Sequence, residues 1–429
     1  MMRKTAIALR HYTIELETLT PVHIGAGGPP LLLNYDAALW RGMVWVFDVE
    51  RVISERMTLD DIERGADPQI DRLLRPEDYP AYARYRLPAP RAMSTQLRDI
   101  LPLERDSAGR PYLPGSSLKG AIRTALLYWA LRHRVVSQRQ QQATQHATAT
   151  PAPEHEPNYL PLIKRILEAQ RLRREWAARD LEQAIFQQPT QQAQTEHTDA
   201  SAQPRKRFDP NHDLGRALRF SDSAPITTPS PVVEVIGIFA AHNSRSQSRN
   251  ATSRIFAEVL PAHTQATFTL SIDEGLFGTD DGLDESLHAF ASPQHVLRAS
   301  REFAYRLTKL EHDYAFDAQF SSIVTFYAEL AQRIKQAPRN EAYLQIGWGT
   351  GWHAKTIGPL LKLTHPGQEL LAALVKRFQL DRGHGSTPFP KTRRYIDQDG
   401  QPVLPLGWVR IRIPELAVEP TLTTTTSET

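Results

Sequence analysis

Between residues 11 and 18 apolar and polar positions alternate, with Tyr12, Ile14 and Leu16 set against Thr13, Glu15 and Glu17. A period of two predicts a strand with one buried face. It runs into Thr20–Pro30, where three glycines followed by Pro29 and Pro30 predict a loop. Leu31–Leu39 and Met43–Val49 read as a hairpin around Arg41-Gly42, and residues 58–100 as short helical pieces and loops. From Leu118 the period changes: Leu118, Ile122, Ala125 and Trp129 form a helical stripe that runs to about Arg134. A charged helix follows over Leu160–Phe186, with Leu162, Ile166, Ala169 and Leu172 on one side. Leu218–Ser223 reads as a strand ending in a turn, Val232–Phe239 as a buried strand, and Arg254–Leu260 and Thr267–Asp273 as two more. Pro293–Leu310 and Phe320–Lys335 read as helices, the second with Phe320, Ile323, Tyr327, Leu330 and Ile334 facing the core. The last strand is Gly407–Ile413, with Val409, Ile411 and Ile413 inward and Arg410 and Arg412 outward.

Two stretches break the pattern. Ser137–Asn158 and Gln187–Gln203 turn to Gln, Ala, Thr, His and Pro, which cannot bury enough apolar surface to order themselves. His146 and His155 fall there at no metal-site spacing. His242–Ser253 is a polar loop, and the Thr-rich tail after Pro414 is expected to be disordered. The 429 residues allow two or three domains. The expected division is an N-terminal unit over residues 1–136, low-complexity segments flanking a charged helix over 137–205, a C-terminal unit over 206–414, and a tail over 415–429. The fold class is α+β.

Composition narrows the chemistry. A chain without cysteine has no disulfide and no thiolate metal site. No apolar run is long enough to span a bilayer and no signal-peptide core is present, so the expected location is cytoplasmic. The formal charge of +3 does not itself argue for nucleic acid. The basic residues are nevertheless clustered, at Arg123, Arg132 and Arg134 and from Lys164 to Arg179. The charged helix fits a solvated face or an RNA-binding surface.

Three stretches carry candidate chemistry. Leu113–Leu127 reads LPGSSLKGAIRTALL: Pro114 and Gly115 interrupt, Ser116 or Ser117 can cap a new helix, and Lys119 and Arg123 share a face four residues apart. Free amides, two hydroxyls and two cations together suit a phosphate, although the order is not that of a Walker A loop. His23-Ile24-Gly25-Ala26-Gly27-Gly28 fits a tight turn or a backbone pressed against a ligand. Gly347-Trp348-Gly349-Thr350-Gly351-Trp352-His353-Ala354-Lys355 offers glycines for close approach to phosphate and tryptophans for stacking on bases; the alternative is a turn with both tryptophans in the core.

PGSSLKGAIRTALL resembles the most recognisable motif of the CRISPR-associated RAMP superfamily. LTPVHIGAG resembles the N-terminal strand of that superfamily, and Leu218–Ser223 resembles its RFSDS strand. Together with GWGTGWHAKT they resemble the fifth subunit of the type III-A (Csm) effector complex. The resemblance implies two ferredoxin-like, RRM-like domains with glycine-rich loops. It implies a non-catalytic RNA-binding subunit that caps the 3′ side of the CRISPR RNA, supports its maturation and serves antiviral defence. The implied partners are CRISPR RNA, the adjacent backbone RAMP subunit, the small helical subunit and host nucleases that trim the RNA. No cofactor or metal is implied. The RNA-contacting residues it suggests are His23, Gly25, Gly27, Gly115, Ser116, Ser117, Lys119, Arg123, Gly347, Trp348, Gly349, Gly351, Trp352, His353 and Lys355.

The competing function is a metal-independent endoribonuclease that processes precursor CRISPR RNA. Its general base would be His23 or His353, supported by Lys119. Asp36 occupies the place of a catalytic aspartate in a related subunit, but its flanks do not match, and it reads as a polar residue at a strand edge. An unrelated phosphate-binding enzyme would need a Walker or Rossmann spacing, which is missing.

Overall fold

The computed structural model describes residues 9–89, 98–133, 159–168, 181–183, 185–187, 211, 213–240, 250–277, 283, 285–383 and 389–417. The low-complexity stretch Ser137–Asn158, most of Gln187–Gln203, most of the loop His242–Ser253 and the tail from 418 lie outside them. Among the described residues no helix is long and apolar enough to cross a membrane.

The first strand is β1 (Leu9–Thr18). β2 (Leu31–Leu32) pairs with β6 (Asp99–Ile100), and β3 (Ala37–Trp40), β4 (Met43–Phe47) and β5 (Ala83–Pro88) form a three-stranded sheet. From residue 218 onward come β7 (Leu218–Phe220), β8 (Val232–Ala240), β9 (Ser253–Val259), β10 (Gln265–Asp273), β11 (Glu341–Gln345), β12 (Thr392–Gln398), β13 (Gln401–Pro405) and β14 (Trp408–Arg412). The larger sheet has the order β11-β14-β1-β10-β7 and the second β13-β12-β8-β9, both antiparallel. β1 is thus central in a sheet whose other strands all lie beyond residue 217.

The alternation in β1 works as the sequence suggests. Ile14 and Leu16 are buried in one core with Phe268, Leu270, Val409 and Ile411. The outer face is a ladder of opposite charges, because Glu15 sits opposite Arg412 and Glu17 opposite Arg410. Their ion pairs are 2.7 and 2.6 Å long, and Arg410 also reaches Glu341 at 3.5 Å. Such exposed cross-strand pairs add only tenths of a kcal/mol each, but they mark which face is solvated.

Helices cover the inner face. Gly115–Arg132 contributes Leu118, Ile122, Ala125 and Trp129, the stripe read from the sequence. Ser321–Gln336 contributes Ile323, Tyr327, Leu330 and Ile334. The helix that starts at Pro293 continues to Asp317, well past Leu310. The turn Arg41-Gly42 has positive φ at both residues, which joins β3 to β4 as the primed hairpin geometry requires. The region expected to be helical pieces and loops also holds β5, whose Tyr85 and Leu87 pack inward while Arg84 and Arg86 remain exposed. Asp36 closes a local turn by accepting the Leu32 amide at 2.7 Å, a structural task.

Candidate nucleic-acid interface

The motif helix begins at Gly115, with Pro114 and not a serine at its N-cap. Asp222 does the work expected of Ser116 or Ser117: its Oδ1 accepts the Gly115 amide at 2.8 Å. Gly115 lies so close to the chain after β7 that a Cβ there would come within 2.1 Å of the Ser221 carbonyl oxygen. The RFSDS turn and the PGSS turn therefore form one joint, possible only with glycine on one side. With capping done by Asp222, both serines are released to the surface of the helix.

That surface is one wall of a cleft of about 600 Å³. Ser116, Ser117, Gly120, Ala121 and Thr124 line it from the helix. His23 to Gly28 with Leu101 and Pro102 form a second wall, and Gln345 to Trp348 with Ala354 and Lys355 a third. Three stretches remote in sequence thus share one concave site. Gly27 has φ +73° and open space around it, as a loop at a rim requires.

His23 is fixed rather than poised. It is buried, and its Nδ1–H donates to the Glu258 carbonyl at 2.7 Å. Desolvation pushes its pKa down, partly offset by Glu258, so the ring is neutral and Nε2 is an acceptor. The Glu258 carboxylate is itself held by Tyr85, the Leu103 amide and Arg105. Trp348 meets His23 edge to face with ring centroids 5.6 Å apart, and its other neighbour is the Arg394 guanidinium, 4.9 Å from the ring centroid. Partial desolvation and the adjacent Arg394 lower the Lys355 ammonium below the ordinary lysine value.

Other residues suggested as RNA contacts are used elsewhere. Lys119 donates to the Gly215 carbonyl at 2.6 Å, and Arg123 forms a bidentate pair with Asp213 at 2.8 and 2.9 Å plus a bond to Glu182 at 2.8 Å. Neither lines the cleft. His353 is buried against Glu311, and Trp352 packs edge to face on Phe389 and against Gly358. Gly349 and Gly351, at φ +85° and +83°, do not line the cleft; they shape the loop. Gly347 does line it, and there the close approach is to the protein's own chain, since the Trp348 amide donates to the His23 carbonyl at 2.8 Å.

A Cβ at Gly347 would lie 2.3 Å from that carbonyl oxygen, at φ +82°. Gly347→Ala should therefore cost roughly 1–3 kcal/mol through strain and displacement of the loop. Thermal melting of the purified variant checks this; an unchanged midpoint would show that the loop adjusts freely.

Sequence reasoning missed Gly120, Thr124 and Gln345. The first two had a signal: Ser116, Ser117, Gly120 and Thr124 are small residues at helical spacing, opposite the Leu118–Ile122 stripe. Gln345 had none. Its Nε2 donates to the Leu406 carbonyl, which leaves buried Oε1 without a hydrogen-bond donor. Chemically the cleft offers small hydroxyls, an acceptor imidazole, an indole and one lysine. Its titratable lining groups among the described residues are His23 and Lys355. Of the proposed ribonuclease trio, His353 and Lys119 are not part of that lining.

The family model described as RAMP superfamily matches residues 15–353, a span that contains every strand and helix bearing on the cleft up to His353. The chain belongs to the RAMP superfamily. This RAMP chain is similar to a chain of the structure titled "Cryo-EM structure of Csm-crRNA-target RNA ternary complex in type III-A CRISPR-Cas system", at 23% identity and a TM-score of 0.66, covering 94% of this chain and 100% of that one. It is also similar to Csm5 of T. onnurineus, at 23% identity and a TM-score of 0.61, covering 92% of this chain and 99% of that one. At that identity the likeness shows a shared fold. No curated protein matches this RAMP chain.

Proposed function

We propose that the protein is a Csm5-like, non-catalytic RNA-binding subunit of a type III-A CRISPR effector complex. It holds the 3′ side of the CRISPR RNA, contacts the adjacent backbone RAMP subunit and supports maturation of the RNA. Its fold is read as two ferredoxin-like units that share the sheet around β1. The observation that carries the proposal is the convergence of the HIGAGG, SSxxGxxxT and GW…AK stretches on one cleft. Backbone, hydroxyls and an indole in a concave site suit a nucleotide chain read by shape and stacking. The fold likeness to a chain of a Csm complex supports the same reading. Against the ribonuclease stands the lack, among the described residues lining the cleft, of a paired acid and base: His23 is buried and neutral, and His353 and Lys119 do not line it.

Gly120 is exposed on the cleft wall, with nothing within 4 Å of a Cβ placed there. Gly120→Leu should keep the fold, because helix propensity improves, while its side chain fills the cleft. Co-expressed with the other subunits, the variant should recover CRISPR RNA at least about tenfold less well than wild type, the factor that roughly 1.4 kcal/mol of lost contact produces. Equal recovery by a folded variant would remove RNA from the cleft. Defined cleavage of a repeat-containing RNA by the isolated protein would restore the enzyme reading.

A further inference from the structure

Arg394 differs from the other half-buried arginines of the fold. Arg105 pairs with Glu258, Arg123 with Asp213 and Glu182, and Arg393 with Glu311. Arg301 and Arg306 lack a carboxylate but donate to backbone carbonyls. Among the described residues Arg394 has neither kind of partner: its Nε is buried without a hydrogen bond, and its guanidinium lies over Trp348. Trp348 lines the cleft, as does Lys355. A half-buried guanidinium without a partner is costly to the protein alone. Arg394 sits in β12, which belongs to the second sheet, and does not itself line the cleft; its guanidinium reaches the site by lying over the cleft residue Trp348.

We infer that Arg394 and Lys355 form a phosphate-binding pair at the Trp348 side of the cleft, taking the phosphodiester backbone of single-stranded RNA whose base stacks near Trp348. The inference rests on the reading of the cleft as an RNA site and adds to it a residue outside the three converging stretches. Arg394 is suited to the task because its fork can hold two phosphate oxygens while its plane stays on the indole. Electrostatics agree. Besides desolvation, the groups acting on Lys355 and Arg394 are other cations, Arg394 on the first and Arg382 on the second, and among the described residues no carboxylate is seen to offset their charge. An acidic protein segment would be attracted by the same charges, but it would leave the indole and the hydroxyl wall of the cleft unused.

The test is binding of fluorescein-labelled oligouridylate to the purified full chain by anisotropy, over a series of salt concentrations. Wild type is compared with Arg394→Gln, Lys355→Gln and the double variant, with melting curves as the folding control. Each lost phosphate contact should lower the slope of log affinity against log salt by about 0.7, so the double variant should lose about 1.4. Its affinity at moderate salt should fall at least tenfold. Arg394→Lys should keep most of the slope but lose affinity, because an ammonium lacks the fork. If the double variant melts early, Lys355→Gln alone, an exposed change, must still lower the slope. Unchanged slope and affinity in folded variants would overturn the phosphate pair while leaving the cleft reading intact. Failure of wild type to bind RNA would overturn both. A variant that loses binding to polyglutamate but not to RNA would reassign the pair to a protein partner and overturn the inference.

Discussion

Replacing Lys119 and Arg123 together by glutamate is expected to remove a large part of the protein's stability, before any effect on RNA can be read. The two side chains look from the sequence like exposed cations that could be reversed with little structural effect. In the fold Arg123 is three-quarters buried at its side chain and ties Asp213 and Glu182 to the motif helix, with Phe186 beneath its guanidinium at 4.4 Å. Asp213 in turn accepts the Gly215 amide at 2.6 Å, and Lys119 holds the Gly215 carbonyl. Reversal leaves Asp213 without its partner and places a new carboxylate beside it. Breaking a buried pair costs about 3–5 kcal/mol, a large share of the roughly 5–15 kcal/mol that holds a domain together. Urea denaturation should show a lower midpoint for Arg123→Glu alone, with a smaller loss for Lys119→Gln. A double variant with wild-type stability and impaired RNA retention would instead return both cations to the phosphate site.

The reason this was hidden in the sequence is instructive. Helical spacing puts Lys119 and Arg123 on one face, and that much is correct. Which surface the face meets depends on Asp213, ninety positions later in Arg123's hydrogen bond, across a low-complexity stretch. The same holds for the helix cap. A serine at the start of a helix is a good local candidate, yet Asp222 from the RFSDS turn takes the amide, because Gly115 lets the two backbones touch. Local rules name the groups that need partners; tertiary structure assigns the partners.

The strands were legible where one face is buried and the other is charged, as in β1 and β14. β5 was not, because Ala83–Pro88 mixes arginine, tyrosine and proline and reads as a loop until Val44, Val46 and Phe256 supply the apolar surface against it. The helix His365–Phe378, capped by Thr364 on the Gly367 amide, also went unread. The glycines singled out in the sequence have different reasons in the fold. Gly25 and Gly27 line the cleft, whereas Gly349 and Gly351 serve positive φ and Gly115 serves contact between two turns. A sequence shows that a backbone must bend or be approached closely there, and not by what.

Glu311 is the centre of a buried charge cluster with His353 and Arg393. Its carboxylate accepts from His353 Nδ1 at 2.7 Å and from Arg393 Nε at 2.5 Å, all three side chains being almost inaccessible. Burial alone would raise the pKa of Glu311, but Arg393 and His353 outweigh it and hold the group ionised. His353 is pushed down to about 4, by desolvation first, against the pull of Glu311. Glu311→Ala should cost about 3–5 kcal/mol, because it leaves the Arg393 guanidinium buried without its counter-charge. The pH dependence has a definite sign. Between about pH 4 and 6.5 an unfolded chain carries a proton on this histidine that the folded protein does not, so the unfolded state binds more protons and stability rises with pH. Glu311 acts in the same direction at still lower pH, since its depressed pKa makes folding favour the ionised form and stability falls as acid protonates it. Wild-type melting temperature should therefore decline as pH is lowered from 6.5 towards 4, and His353→Gln, which can still donate to Glu311 but cannot titrate, should flatten that decline. Parallel curves for the two proteins would show that the acid sensitivity arises elsewhere. A neutral, buried His353 is also a poor general base, because any proton it took from RNA would create an imidazolium in the position that burial most disfavours.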